Sequence, residues 1–214
     1  MKKVGIIGSG SVGKALAHGF VTNGYETTIA SRNEETRKDL EQQFEGKVKT
    51  DTPENTAKHN EIIVIAVKGS KAKEALAIFN VDNLAGKVVI DTTNPIEDAA
   101  PVNGVILYSS SINKSLMEEL QAMAPKARFV KAFNSVGSAH MVNPDFESKP
   151  SMFICGEDQA AKNEVKHILD QFGWDSEDMG NIESARAIEP LAILWCIPGF
   201  RANSWNHAFK LLKK

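Results

Sequence analysis

The chain has 214 residues, of which 42% are hydrophobic, and its 25 basic and 27 acidic side chains give a formal net charge of -2. A chain of this length can bury one core with a small appended element, but it is short for two full domains. The near-neutral charge supplies no field that would favour nucleic acid or an anionic membrane. We therefore expect small molecules as partners, and neither nucleic acid nor membrane.

The two cysteines, Cys155 and Cys196, each lie in an apolar run, where a free buried thiol is the expected state. The five histidines lie far apart, and none has a second ligand at the spacings that zinc sites use, so we predict no metal site. No apolar stretch has the length of a membrane-crossing helix, and the first residues pass directly into a glycine turn without the pattern of a signal sequence. Together these features predict a cytoplasmic protein in a reducing compartment.

Runs rich in valine and isoleucine recur along the chain and are typical of strands. They cover residues 3–7, 26–30, 62–67, 88–92, 129–133 and 152–155. Helical patterns separate them, over residues 11–23, 33–44, 70–79, 113–123 and 158–172. Several of the strand runs are apolar at nearly every position, as expected of parallel strands that helices cover on both faces. The sequence therefore predicts an α/β fold, a Rossmann-type doubly wound sheet that is mostly parallel.

The pattern changes after Gly180, and residues 181–214 read as helix with no further strand. We therefore divide the chain into a sheet domain, residues 1–180, and a small C-terminal helical segment, residues 181–214. This segment has more apolar residues than one helix needs to cover a sheet edge. The surplus could close over a ligand cleft or form the interface of a homodimer, and core packing alone explains it equally well.

A glycine-rich turn joins the first strand to the first helix. Its residues are Gly8, Ser9, Gly10, Ser11, Val12 and Gly13. The first glycine permits a tight turn, the second lets the backbone approach a pyrophosphate, and the third lets helix and strand pack closely. The free N–H groups and the positive end of the helix then face the phosphates. The pattern is weak alone, but between a strand and a helix it predicts a dinucleotide-binding site.

The choice of dinucleotide is decided at the end of the second strand, where NAD-binding chains place a carboxylate for the ribose 2′-hydroxyl. This chain has Ser31 and Arg32 there. A hydroxyl and a guanidinium can donate to a 2′-phosphate, so we predict NADP(H) rather than NAD(H). Arg37 could reach the same phosphate and is included as a candidate, whereas Lys38 is not. Two glutamates lie beside both, and an ordinary solvated helix face would also explain them.

In open α/β sheets, ligands cross the carboxyl ends of the strands, so the residues just after each strand are further candidates. They are Ala66, Val67 and Lys68, then Asn94 and Pro95, and lastly Asn134 and Gly137. Lys68 could instead be a solvated side chain. The segment from Thr92 to Pro95 ends a strand in hydroxyls, an amide and a rigid proline, which suit hydrogen bonds to ribose and nicotinamide, although Asn-Pro is also a common turn starter. Asn94 and Pro95 open the least regular stretch, residues 94–111, which is long enough to be a functional loop.

Six segments are characteristic when taken in order: GIIGSGSVGKALA, the pair Ser31-Arg32, VVIDTTNP, FVKAFNSV, MFICGEDQAAKNEV and DMGNIESARAIEP. They resemble the family of F420-dependent NADP oxidoreductases, which also includes the NADPH-binding reductase domain of the STEAP metalloreductases. The likeness spans nearly the whole chain. It implies an NADP-binding Rossmann domain, residues 1–180, and a helical tail, residues 181–214, that closes the cleft or forms a dimer interface. It also implies hydride exchange between NADPH and a flavin or deazaflavin laid on the nicotinamide.

By position in this resemblance, residues 9–12 would hold the pyrophosphate, and Ser31 and Arg32 the 2′-phosphate. The residues that would border the nicotinamide are Val67, Lys68, Asn94, Pro95 and Gly137. One segment departs from the pattern. Family members that use F420 resemble one another in a His-Thr-x-Pro-like segment after the sixth strand, where this chain reads NSVG at residues 134–137. This version looks closer to the flavin-linked STEAP-like relatives, so the acceptor is left open among FMN, FAD and F420.

Hydride transfer between two flat rings needs little acid or base help, because the cofactors carry the chemistry and geometry supplies most of the catalysis. We therefore predict no catalytic acid or base, and His140 is interpreted as a solvated loop histidine. Two other functions remain open. One is an imine or carbonyl reductase of the pyrroline-5-carboxylate reductase type, which would need a proton donor that the sequence does not display. The other is a redox sensor or regulator that binds NADPH without turnover.

Overall fold

The computed structural model describes residues 1–78 and 80–214. Its strands are β1 Lys3–Ile7, β2 Glu26–Ala30, β3 Lys49–Asp51, β4 Ile62–Ile65, β5 Val88–Asp91, β6 Arg128–Lys131, β7 Ser151–Ile154 and β8 Asp175–Asp178. Its α-helices are α1 Ser11–Thr22, α2 Glu34–Gln43, α3 Pro53–His59, α4 Gly69–Ile78, α5 Leu116–Met123, α6 Gln159–Gln171, α7 Ala185–Ile188 and α8 Leu191–Ala202. The helix predicted over residues 70–79 is present as α4, and its predicted last residue, Phe79, lies outside the described residues.

Six strands form one parallel sheet in the order β3-β2-β1-β4-β5-β6. The strand order reverses between β1 and β4, which is the switch point where such folds bind ligands. Alternate residues of the central strands enter two separate apolar cores. In β4, Ile62 and Val64 lie in one core, and Ile63 and Ile65 lie in the other. Because both faces are covered, the strand is apolar at every position. The predicted Rossmann-type α/β fold is confirmed.

The run predicted over residues 152–155 is a strand, but it does not extend the main sheet. It is β7, which pairs in parallel with β8 in a separate two-stranded sheet. The sequence patterns did not predict β8, β3 or the short helix α3. The two missed strands read KTD and DSED, which carry no hydrophobic alternation. Both lie at sheet edges, where polar side chains are tolerated because one side of the strand meets water.

The prediction that residues 181–214 are helical throughout is wrong beyond Ala202. Helix α8 ends there, Asn203 adopts the left-handed conformation at φ 51°, and residues 203–214 form neither helix nor strand. This stretch runs beside β7, where the Ser151 N–H donates to the Phe209 carbonyl at 2.8 Å and the Leu211 N–H donates to the Ser151 hydroxyl at 3.1 Å. It thereby covers a strand edge that would otherwise lack partners.

The two cysteines are free thiols. Cys155 is buried as predicted, whereas Cys196 on α8 is only partly buried. Among the described residues, no helix is long and apolar enough to cross a membrane, and no cluster of three or more histidine, cysteine or acidic side chains could hold a metal ion.

Candidate functional site

The glycine-rich turn between β1 and α1 is shaped by two close backbone contacts. Gly8 has a φ of 128°, and a Cβ atom there would lie 2.2 Å from the Ala66 carbonyl oxygen. A Cβ at Gly13 would lie 2.0 Å from the Gly8 carbonyl oxygen. Gly10 differs, because an added Cβ would have no atom within 4 Å. Packing therefore requires glycine at residues 8 and 13, whereas Gly10 leaves open space beside the start of α1.

The N-terminus of α1 begins at this open space. Gly10 caps the helix without a side-chain hydrogen bond, and the first turn contains no acidic residue. The backbone N–H groups of a first helical turn have no partner within the helix, and they carry the positive end of the helix dipole. Such an end binds phosphate groups well. Residues 9–12 therefore fit the pyrophosphate that the glycine pattern predicts.

A cavity of about 570 Å³ lies at the carboxyl ends of β1, β2 and β4. The predicted site residues that line it are Gly8, Ser9, Gly10, Ser31, Arg32, Ala66, Val67 and Lys68. Helix α4 supplies a further wall, with Lys71, Glu74, Ala75 and Ile78. These four residues were not among the site residues predicted from the sequence. They recur every three or four positions after the end of β4, and that helical spacing is the signal that could have revealed them.

The end of β2 presents a cation to the first cavity and no carboxylate of its own. Arg32 is exposed there. Arg37 does not line the cavity, because its Nη1 donates to the Ser31 carbonyl at 2.8 Å. It supports the backbone of the site instead of reaching into the cavity. Lys38 lies outside the cavity, and its Nζ is 3.0 Å from Glu34 Oε1. Both side chains are exposed, as expected for an ordinary solvated helix face.

A second cavity, of about 540 Å³, lies at the carboxyl ends of β1, β4 and β5. The predicted site residues that line it are Gly10, Ser11, Val12, Ala66, Val67, Lys68 and Asn94. Those shared with the first cavity are Gly10, Ala66, Val67 and Lys68. The two cavities therefore form one crevice that crosses the switch point between β1 and β4.

The segments that follow β4 and β5 touch each other at the second cavity. A Cβ at Gly69 would lie only 1.8 Å from the Asn94 carbonyl oxygen. At the rim, Lys68 Nζ lies 3.1 Å from Asp98 Oδ1, and the Ser70 hydroxyl donates to Asp98 Oδ2 at 3.3 Å. The hydrogen bond and the charge of Lys68 lower the pKa of Asp98. Both charged side chains are exposed, so solvent screens the pair and its contribution to stability is small.

Pro95, Asn134 and Gly137 are predicted site residues that do not line either cavity. Pro95 and Asn134 are buried. Asn134 Nδ2 donates to Asn94 Oδ1 at 3.2 Å, and Asn94 Nδ2 donates to the Asn134 carbonyl at 2.7 Å, so the two residues orient each other. A Cβ at Gly137 would lie 2.8 Å from the ring of Trp195, which puts this glycine against α8. The segment after β6 therefore supports the crevice from behind.

A buried charge cluster, formed by Asp91, Lys131 and Glu189, adjoins the second cavity. Lys131 Nζ lies 2.6 Å from Asp91 and 2.9 Å from Glu189, and all three side chains are at most 1% exposed. The ammonium also donates at 2.8 Å to the carbonyl of Thr93, which lines the cavity. Burial by itself lowers the pKa of Lys131, but the two carboxylates outweigh burial and raise the pKa. The ammonium therefore stays charged.

The sequence patterns did not reveal this cluster. A signal was present, since Asp91 and Lys131 are charged residues that directly follow apolar residues at the ends of β5 and β6. The partner that completes it, Glu189, comes from a distant part of the chain, between α7 and α8.

The chain is similar to several known proteins. Residues 3–95 match the family model described as NADP oxidoreductase, coenzyme F420-dependent. The chain is 29% identical over 200 residues to the metalloreductase STEAP3 of Rattus norvegicus, covering 92% of this chain and 38% of that protein. It is 24% identical over 141 residues to the F420-dependent NADP reductase of Methanocaldococcus jannaschii, covering 65% of this chain and 62% of the relative. The chain thus spans less than two thirds of the length of either relative.

Two solved structures have a similar fold. A candidate F420-dependent NADP reductase from Arthrobacter sp. FB24 has a TM-score of 0.92 and 28% identity, and the match covers 100% of both chains. A reductive aminase from Aspergillus terreus, solved with NADPH4, cyclohexanone and allyl amine, has a TM-score of 0.68 and 18% identity, covering 95% of this chain and 63% of that one. At 18% identity the second likeness concerns the fold alone.

The fold, the crevice and these matches first define a class: the chain has a Rossmann fold and is similar to NADP-dependent oxidoreductases. Within that class, the resemblance to the F420-dependent NADP oxidoreductases that the sequence motifs indicated is confirmed, with the family model matching residues 3–95. The prediction of NADP(H) as the cofactor is supported by the same matches. They leave the electron acceptor open.

Proposed function

We propose that the chain transfers hydride between NADP(H) and a flavin-like or deazaflavin acceptor bound against the nicotinamide. The observation that carries this proposal is the single crevice that runs from Arg32, past the N-terminus of α1, to Asn94. It offers a cation at one end, an anion-binding helix terminus in the middle and partly apolar walls at the other end. The 2′-phosphate, the pyrophosphate and the nicotinamide follow one another in NADPH in the same order.

The adenosine half of NADPH belongs, in this proposal, in the first cavity. Ser31 and Arg32 hold the 2′-phosphate by donating hydrogen bonds, and β2 ends without a carboxylate that would repel it. The N–H groups at the start of α1 bind the pyrophosphate. Arg37 acts indirectly, because its hydrogen bond to the Ser31 carbonyl keeps the end of β2 in place.

The nicotinamide half belongs in the second cavity. Val12, Val67 and Ile96 give this cavity apolar surface, which suits a flat ring and excludes water from one side of it. When bound, NADPH supplies the hydride that the acceptor takes up. The chain's own task is to hold the ring so that the acceptor can approach to about 3–3.5 Å in one orientation.

The side chains around the second cavity favour a flat-ring acceptor over an imine or a carbonyl. Among the described residues that line this cavity, the titratable side chains are Lys68 and Asp98, and these are paired with each other at the exposed rim. Reduction of an imine or a carbonyl needs a well-placed proton donor. A flavin or deazaflavin ring can exchange its proton with solvent, so it needs none from the protein.

The test follows the nicotinamide absorbance band while purified protein is mixed with NADPH and, separately, FMN, FAD, F420 and the cyclic imine 1-pyrroline-5-carboxylate. We expect oxidation of NADPH with at least one of the three ring acceptors and none with the imine. The Arg32→Ala variant at the same NADPH concentration should be much slower, which ties any oxidation to the crevice. Oxidation by the imine alone would favour the imine reductase alternative. Tight NADPH binding without any oxidation would favour a redox sensor and contradict our proposal.

We also propose that the chain forms a homodimer in the cytoplasm, the setting that its unpaired thiols suit. Exposed apolar residues support the dimer: Leu194 and Phe200 on α8 are 57% and 49% exposed, and Val102 is 60% exposed. A Cβ at Gly104 would lie 2.7 Å from Arg201 Cγ, so the irregular segment and α8 adjoin. Light scattering should give twice the chain mass, and Leu194→Glu should shift it to the monomer. A monomeric wild type would contradict this proposal.

A further inference from the structure

We propose that Glu189 and Lys131 are positioning residues for the nicotinamide half of the crevice, fixing the backbone at Thr93 and Asn94 to a common anchor in the C-terminal segment. This inference rests on the proposed function, because it assigns the second cavity to the nicotinamide. The residues concerned form the buried charge cluster of Asp91, Lys131 and Glu189, none of which contacts NADPH in the proposed binding mode.

Thr93 is held on both sides of its backbone. Its carbonyl accepts from Lys131 Nζ at 2.8 Å. Its N–H and its hydroxyl both donate to Asp91 Oδ1, at 2.9 Å and 2.7 Å. Since Lys131 also pairs with Asp91, the three residues form one closed arrangement. The first residues after β5 can therefore move only if the buried ammonium moves with them.

Glu189 fixes where that ammonium lies. Its Oε1 accepts from the Met117 N–H and lies 2.9 Å from Lys131 Nζ, and its Oε2 accepts from the Leu116 N–H at 3.0 Å. The carboxylate thus binds the first N–H groups of α5, whose positive end offsets the net negative charge of two carboxylates and one ammonium. Because every oxygen of Glu189 is engaged, its position is set by α5 and in turn sets that of Lys131.

The backbone beside Glu189 anchors two more segments at the second cavity. Asn134 Nδ2 donates to the Ile188 carbonyl at 2.9 Å, and the Tyr108 hydroxyl donates to the Glu189 carbonyl at 2.7 Å. Asn134 in turn orients Asn94. The segments after β5 and β6 and the irregular stretch between them therefore all attach to residues 188–189. Residues 188–189, behind the crevice, therefore determine the distances between the segments that border the proposed nicotinamide site.

The physical cost of the cluster supports a positioning role. Removing charges from water is expensive, and well-packed apolar residues often stabilise a core as well as a buried ion pair does. Apolar residues could fill the same volume, but they could not impose the directional hydrogen bonds that hold the Thr93 backbone. In this chain the charges do impose such bonds, at a residue that lines the cavity.

The experiment compares two ligands that share the adenosine half. NADP+ extends into both cavities, whereas 2′,5′-ADP carries the 2′-phosphate and lacks the nicotinamide. We expect Glu189→Gln to weaken NADP+ binding roughly fivefold to tenfold, less than direct loss of a charged hydrogen bond to the ligand, because Glu189 acts on the ligand only through Lys131 and Thr93. The affinity for 2′,5′-ADP should stay within about twofold, so the ratio of the two dissociation constants changes.

The matched control is Glu118→Gln. Glu118 also caps α5 and also binds the C-terminal segment, through Arg186, but it touches neither Lys131 nor Thr93. This variant should leave the ratio unchanged. If Glu189→Gln does not fold, Tyr108→Phe serves in its place, because it removes one hydrogen bond to the Glu189 carbonyl, and it should move the ratio in the same direction by a smaller factor.

The outcomes separate the two proposals. Equal loss of both ligands in folded Glu189→Gln, no loss of either, or the same ratio change in Glu118→Gln would each overturn the positioning role. Failure of the wild type to bind 2′,5′-ADP would instead overturn the proposed function, and this inference with it.

Discussion

Gly10 and Gly13 lie in one turn, yet an added methyl group would meet different surroundings at each. At Gly13 it would lie 2.0 Å from the Gly8 carbonyl oxygen, whereas at Gly10 it would meet no atom within 4 Å. The two positions therefore separate the packing role of the motif from its binding role. The sequence pattern names both glycines without distinguishing them.

We expect Gly13→Ala to lower the free energy of unfolding by about 1–3 kcal/mol, because the backbone must shift to relieve the overlap. Gly10→Ala should cost less, at most about 1 kcal/mol, since an N-cap prefers glycine to alanine. It should nevertheless weaken NADPH binding, because the methyl group occupies the space beside the helix terminus. Urea denaturation and NADPH titration of both variants check this. Equal stability losses would contradict the assignment of roles.

Arg32 should decide between NADPH and NADH. In the proposed binding mode, Arg32→Ala removes a charge-assisted hydrogen bond to the 2′-phosphate, so we expect NADPH to bind roughly tenfold to a hundredfold more weakly. NADH lacks this phosphate, and its affinity should change by about twofold or less. Lys38→Ala is the matched control, because Lys38 is an exposed cation one helix turn away that pairs with Glu34. Calorimetric titration measures all four affinities, and an equal loss for both dinucleotides in Arg32→Ala would refute the assignment.

Local patterns made part of the crevice predictable from the sequence. The glycine turn and Ser31-Arg32 follow strands directly, so their position is set by short-range geometry, and they line the crevice. The roles of Arg37 and Asn134 could not be predicted, because a residue's position in the sequence does not reveal which partner its side chain binds. The partnership of Lys131 with Glu189 depends on how distant segments pack, which no local pattern encodes.

At the scale of elements, α5 connects the main sheet to the C-terminal segment. Ser115 caps its N-terminus in a capping box with Glu118. Arg186 also donates to the Glu118 carboxylate: its Nε–H is shared between Oε1 at 3.2 Å and Oε2 at 3.0 Å, and its Nη2 donates to Oε1 at 2.5 Å. Helix α5 is therefore attached to α7 through the partly exposed pair of Glu118 and Arg186. It is also attached to Glu189, which accepts hydrogen bonds from its first N–H groups. Both attachments hold its first turn.

The first attachment should depend on pH. The hydrogen bonds from Arg186, with those from Ser115, hold the pKa of Glu118 at about 2, below its usual 4.5. A lowered pKa means that this stabilisation is fully present above a pH of about 4.5 and is lost as the pH falls towards about 2. The difference in unfolding free energy between wild type and Glu118→Gln should shrink over that range. Urea titrations at several pH values measure it, and a constant difference would contradict this.

Elements with strong hydrophobic patterns were predictable, and those without were not. Strand β4 is apolar throughout because both faces are covered, so its residues alone predict a buried strand. Strands β3 and β8 exist because a neighbour supplies hydrogen bonds to their backbones, and their side chains remain polar. The stretch after Ala202 contains helix-forming residues, yet it forms no helix, and its backbone hydrogen-bonds with Ser151 beside β7 instead.

At the scale of the whole molecule, the sheet domain and the C-terminal segment share their buried polar groups. The division at residue 180, which the change in sequence pattern suggested, separates Glu189 from Lys131 and from the first N–H groups of α5. A buried N–H group without a partner costs about 1–3 kcal/mol. The two parts should therefore depend on each other for stability.

We expect a chain of residues 1–180 to lose the cooperative thermal unfolding of the full chain, because the Leu116 and Met117 N–H groups lose their acceptor and the Lys131 ammonium loses one of its two carboxylates. A chain of residues 1–202 keeps Glu189 and is the matched control. It should unfold cooperatively at a reduced temperature, since only the contacts of the last residues are absent. Circular dichroism during heating distinguishes the two. Full stability of the shorter chain would show that the two parts are independent.

The close contact between Gly69 and the Asn94 carbonyl limits which residues can be changed to alter the preference for the proposed acceptor. Any side chain at residue 69 would push apart the ends of β4 and β5, so this position is closed to variation. Ile96 and Asp98 line only the second cavity and come from the irregular segment. Because Ile96 belongs to the apolar surface proposed for the nicotinamide ring, a mutant library at Asp98, on the exposed rim, should change which acceptor enters while the dinucleotide remains bound.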